Sequence, residues 1–190
     1  NSCRFALFFL LSSLSVNAEK EAPKGLRGLQ DVDPFDIFYS DFGGKVLVPG
    51  DYTALAAIDL GSTLTLECAP ETTTGEWSFT IGGAFTTSAD STIQFSDGCS
   101  GTVDWDVIGA IALGARSTSI GSMQSIAGAI TVGAASTCDD IEAFAALTVG
   151  TDASTGTIKA GGAITVGTGA TTGVCTGSCP LTCVPLVGCS

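Results

Sequence analysis

Residues 128–138 read GAITVGAASTC, and residues 162–175 read GAITVGTGATTGVC. Between them lies AALTVGTDASTG at 145–156, and before them GAIALGARSTS at 109–119. Aligned on the G-A-I-T word, units begin at Gly83, Gly109, Gly128, Ala145 and Gly162, with a weaker AAID at Ala56. The steps are 27, 26, 19, 17 and 17 residues. A step that settles at this size is the mark of a solenoid, in which no repeat buries its apolar face until the next one stacks on it.

Alternation inside the unit gives the element. The third and fifth letters are apolar: Phe85 (then Thr87), Ile111 and Leu113, Ile130 and Val132, Leu147 and Val149, Ile164 and Val166. Alternate residues of a strand share a side, so these face inward. A second inward column is read at Ile120, Ile141, Ile158 and Val174. Two longer coils carry WSFTI at 77–81 and VDWDV at 103–107, which points Trp77, Phe79, Ile81, Val103, Trp105 and Val107 into the core. Gly between the columns lets the chain turn a corner. No ten-residue span has a helical period. The predicted fold is all-β, a right-handed β-helix (solenoid) of short strands with a triangular cross-section, shortened at its N-terminus.

The 190-residue chain is acidic, with 7 Lys and Arg against 19 Asp and Glu. It has no His and no basic cluster, which argues against nucleic-acid binding and removes the commonest metal ligand and general base. Residues 1–18 read as a signal peptide: one Arg, an apolar run Phe5–Leu11 too short to span a bilayer, and small residues ending Val16-Asn17-Ala18. Residues 19–45 form a polar leader, 46–174 the β-helix, and 175–190 a Cys-rich tail. The expectation is a secreted, extracellular monomer without cofactor, metal or membrane contact. After signal removal seven cysteines remain, and in a secreted chain they read as disulfides, the odd count leaving one free thiol or an intermolecular bond. Cys68 and Cys99 sit on loops about one coil apart, placed to bridge adjacent rungs. Cys175, Cys179, Cys183 and Cys189 are placed to staple the open C-terminal end. Their spacings do not match a zinc site.

The same alternation points the second and fourth letters outward: Ala84 and Thr86, Ala110 and Ala112, Ala129 and Thr131, Ala146 and Thr148, Ala163 and Thr165. Stacked strands lie about 4.8 Å apart and alternate residues about 6.7 Å apart, so these side chains form a flat, uncharged grid. Such a grid suits ordered, ice-like water, with methyl groups setting the cages and hydroxyls anchoring them. A Thr-rich β surface chosen for strand propensity is the plainer reading. A second outward Ser/Thr column is read at Ser117, Ser136 and Ser154. Asp104 and Asp106 flank Trp105 on one outer face, but no Arg, Lys or His lies near them to complete a sugar-cleaving site. A Ser nucleophile has no His partner.

The ordered series VLVPGDYT, LTLECAPETTTGEWSFTIGGAFTT and VDWDVIGAIALGARSTSIGSMQSIAGAITVGAAS resembles the secreted ice-binding family with a discontinuous, triangular right-handed β-helix, the DUF3494 type. The resemblance covers roughly residues 46–172. It implies a non-catalytic protein whose partner is the ice crystal surface. The family's T-A/G-x-T/N ice-facing word falls on the G-A-x-T words here, whose outward residues are the ten just named. In this chain the first Thr of that word is Gly or Ala. The family's additional coils and long helix before the L-x-P-G-x-Y entry are also absent from residues 19–45. An extracellular or cell-wall adhesion module on the same scaffold is the alternative function.

Overall fold

The structure, a computed structural model, describes residues 41–178. Seventeen strands are found there, and every pairing between them is parallel. The chain winds round an axis and visits three faces in turn. Face A holds β3 (Ile58–Leu60), β6 (Phe85–Thr87), β9 (Ile111–Leu113), β11 (Ile130–Val132) and β14 (Leu147–Val149), and ends on the second half of β16 (Ile158–Val166). Face B holds β1 (Val46–Leu47), β4 (Thr63–Leu66), β7 (Thr92–Phe95), β12 (Thr137–Cys138) and β15 (Ser154–Thr155), joined through single bridges at Thr118 and Thr171. Face C holds β2 (Gly50–Ala54), β5 (Thr74–Ile81), β8 (Ser100–Val107), β10 (Ser122–Ser125), β13 (Ile141–Ala143), the first half of β16 and β17 (Cys175–Ser178). The fold is therefore the expected β-helix.

The register follows the sequence repeat. Ile58 pairs with Phe85, then Ile111, Ile130, Leu147 and Ile164, residue for residue at the steps read from the text. All six residues expected inward from the two longer coils are buried. The aromatics stack along the axis: Phe79 lies 5.2 Å from Tyr52 and 3.9 Å from Trp105, centroid to centroid. Both buried indoles keep their polar atom satisfied, Trp77 Nε1 donating to the Leu47 carbonyl and Trp105 Nε1 to that of Ile120. The inward column on face C differs from the expectation. It runs Tyr52, Phe79, Trp105, Met123, Ile141, Ile158 and Cys175. Ile120 sits half-buried on the corner before face C, and Val174 is exposed one residue short of the column.

Glycine recurs along both borders of face A, with Ala56, Ala145 and Ser88 the exceptions, and the reason is steric. A Cβ on Gly83 would lie 2.4 Å from the backbone nitrogen of Ala57, and one on Gly133 2.5 Å from the carbonyl carbon of Gly114. Backbone cannot give way at that distance, so glycine at these positions is set by the coil beneath. From face A to face B the chain turns through a left-handed residue in every coil after the first: Asp90, Arg116, Ala135, Asp152 and Gly169. Just beyond, Ser91, Ser117 and Ser136 point inward. Ser117 Oγ donates to the Gly114 carbonyl at 2.8 Å, and Ser136 Oγ to the same carbonyl at 2.6 Å. The outward column expected at Ser117, Ser136 and Ser154 is thus one residue out of phase: the first two are buried, and only Ser154 is exposed.

Cys68 and Cys99 form a disulfide between the loops that lead from face B to face C in successive coils, as their positions suggested. Cys175 is also disulfide-bonded, while Cys138 is a buried free thiol. The leader's last residues belong to the solenoid, since Asp41 bridges to Asp59 and the Phe42 ring packs edge-on to Phe79. At the other end β17 pairs with β16, so the stacking continues past residue 174. The segment expected to be a signal peptide, the remainder of the expected leader, and Cys179, Cys183 and Cys189 lie outside the described residues.

Candidate functional site

Face A carries the ten residues singled out from the sequence. Its outer column runs Asp59, Thr86, Ala112, Thr131, Thr148, Thr165, each paired with the next. Thr131, Thr148 and Thr165 are exposed and stand one rung apart, about 4.8 Å in a β-sheet. Beside them run Ala84, Ala110, Ala129, Ala146 and Ala163, all exposed or half-exposed. Alanine is tolerated there because the side chain leaves the strand outward, while the glycine one residue earlier faces the neighbouring coil. At the N-terminal end the pattern breaks. Asp59 brings a carboxylate into the row, and Thr86 Oγ1 donates to its Oδ1 at 2.9 Å. The corner towards face C carries an exposed apolar ridge of Leu55, Ile108, Ile126 and Phe144, with Leu55 82% and Phe144 69% accessible.

Face B holds a second array, of which the sequence reading caught only Ser154. Thr63, Thr92, Thr118, Thr137, Ser154 and Thr171 pair in one unbroken ladder over six rungs. The signal was present in the recurring words DST, RST, AST, DAS and GAT, which begin at the left-handed residues and step by 26, 19, 17 and 17. Charge flanks this ladder. The exposed Arg116 guanidinium grips Asp90 through two hydrogen bonds of 2.7 Å, which holds the Asp90 carboxyl below its ordinary value. On the other side the Asp139 carboxylate accepts from the Gly121 amide at 2.7 Å.

Face C is the charged side. Asp104 and Asp106 are exposed and point outward as expected, Asp104 between Ser78 and Ser122, Asp106 between Thr80 and Gln124. Further along the second column Glu142 pairs with Lys159 at 2.6 Å. Among the described residues no three side chains are grouped to hold a metal ion.

The chain is a stack of parallel coils whose faces carry rows of small and hydroxyl-bearing residues. The model for ice-binding-like proteins matches residues 15–155, well over half of the chain, and the chain belongs to that non-catalytic family. No curated protein matches it. Two solved structures are similar. The DUF3494 domain of Shewanella frigidimarina ice-binding protein 1 is 21% identical with a TM-score of 0.48, over 70% of this chain and 50% of that one. The ice-binding protein of the Antarctic ascomycete Antarctomyces psychrotrophicus is 23% identical with a TM-score of 0.44, over 74% of this chain and 59% of that one. The chain thus spans 50% of the first and 59% of the second.

Proposed function

We propose that this protein is secreted and adsorbs to ice through face A, with Ala84, Thr86, Ala110, Ala112, Ala129, Thr131, Ala146, Thr148, Ala163 and Thr165 as the contact surface. The observation that carries the reading is the pairing of Thr131 with Thr148 and Thr148 with Thr165, beside a parallel row of alanines. Two columns define a plane, and a plane is what a crystal surface presents. Beyond Asp59 the columns hold no charge, and both borders are rows of small residues. Adsorption of this kind needs no cofactor and no turnover.

Face B is the second reading, and its six-rung hydroxyl ladder favours it. It is longer than the row on face A, but it is a single column with Asp90, Arg116, Asp139 and Asp152 at its sides. One pair of variants separates the faces in an ice-affinity partition assay. Thr148→Tyr places a ring in the middle of face A that cannot lie flush with its neighbours. Thr137→Tyr does the same on face B. Both positions are exposed, so melting by circular dichroism should shift little, within about 0.5 kcal/mol. Ice affinity should collapse in Thr148→Tyr and persist in Thr137→Tyr and in the face C control Asp104→Asn. The opposite pattern would move the site to face B, and no partition of the wild type into ice would sink the function itself.

A further inference from the structure

We infer that Asp59 and Ala112 limit the hydroxyls that the contact surface offers, confining them to the three rungs of Thr131, Thr148 and Thr165. The inference rests on face A being the ice-contacting face. In the paired column Asp59, Thr86, Ala112, Thr131, Thr148, Thr165, the position of the hydroxyl is fixed by register, so each rung either supplies one or interrupts the row. Ala112 interrupts it: it is paired with both Thr86 and Thr131, it points outward, and it offers a methyl group where its neighbours offer a methyl and a hydroxyl.

Asp59 ends the row in a different way. Water in an ice lattice donates two hydrogen bonds and accepts two in fixed directions, whereas a carboxylate only accepts. Asp59 therefore cannot stand in for a lattice neighbour on the donor side. It also engages the donor of the next rung, since Thr86 Oγ1 gives its hydrogen to Asp59 at 2.9 Å. The hydroxyl hydrogen of the half-exposed Thr86 is thus engaged within the protein, by Asp59 and, at 3.5 Å, by the Ile58 carbonyl. Two rungs are lost to one carboxylate and a third to one missing hydroxyl. The rungs that remain are the ones whose spacing has settled at 17 residues per coil.

The test replaces the interruptions. Ala112→Thr joins Thr86 to Thr131, and Asp59→Thr frees the Thr86 hydroxyl and continues the row to the first coil. Neither changes an inward residue. Each variant should raise the ice-partition constant, by roughly threefold to tenfold for one added hydrogen-bonding rung, and the double variant should exceed both. Melting by circular dichroism and the emission of the buried Trp77 and Trp105 report the fold. Should Ala112→Thr fail to fold, the exposed Asp59→Thr decides the matter alone. Thr148→Tyr is run beside them. If Thr148→Tyr abolishes affinity while neither replacement raises it, this inference is overturned and the assignment of face A stands. If Thr148→Tyr keeps full affinity, face A is not the contact surface and the inference falls with it.

Discussion

Ser119 stands inward beneath face B, where Ile93 stands one coil earlier. It is 2% exposed, and its hydroxyl is the one buried side-chain polar atom among the described residues without a hydrogen-bond partner. A buried hydroxyl left unpaired costs about 1–3 kcal/mol. Ser119→Ala should therefore stabilise the protein by that order, read as a higher urea midpoint; a lower midpoint would mean the hydroxyl is bonded in solution. Cys138 is the next residue in the same column. Burial, reinforced by the Asp139 carboxylate, pushes its thiol from 9.0 up to about 12. The folded state thus resists ionisation that the unfolded chain accepts. Below pH 9 the group has no effect; between there and about pH 12 it progressively removes stability, up to about 4 kcal/mol. Tyr52, whose phenol is also raised by burial, adds to the loss above pH 10. Urea midpoints measured against pH should fall less steeply over this range in Cys138→Ala than in the wild type. Parallel curves would remove Cys138 as a cause.

At the scale of strands, legibility depended on what each face buries. On face A every rung has Ile, Leu, Val or Phe on the inward side and, past Asp59 on the first, small residues outward, so the period, the alternation and the outward direction of the ten residues could all be read directly. Face C was read well where it carries Trp and Phe, and lost where identity misled. The true step from Trp105 to Met123 to Ile141 is 18 residues each time, yet Ile120 attracted the assignment because it matched Ile141 and Ile158 in kind. Packing against a column only requires apolar volume, which Met123 and Cys175 supply. Face B left almost no hydrophobic signal. In the later coils its strands are two residues or a single bridge, and its inward residues there are Ser117, Ser119, Ser136, Cys138, Ala153 and Thr155. A hydroxyl ladder backed by small polar residues looks, in sequence, like a loop.

Across the whole solenoid the coils taper. The first two steps are 27 and 26 residues and enclose Trp77, Phe79, Phe85 and Trp105; the last two are 17 each and enclose Ile, Leu, Val and Ala. The Cys68–Cys99 bridge ties the two wide coils, closing a loop of sequence separation 31. On loop-entropy grounds its removal as Cys68→Ser with Cys99→Ser should cost about 4 kcal/mol. Because each coil touches only its neighbours, hydrogen exchange should rise first around β2, β5 and β8 and last in β11 and β14. Uniform acceleration along the chain would show that the stack melts as one unit.

The glycine-bordered coils have a consequence for inheritance. From Gly128 to Phe144 the chain makes one full circuit and returns to the same face in the same phase. A tandem copy of that stretch would again place glycine at both corners, as Gly128 and Gly133 do now, and would add one Thr to face A and one Thr to face B. Length in this molecule is thus a quantity that replication slippage can change by whole turns, with neither a new core nor a new corner to be found.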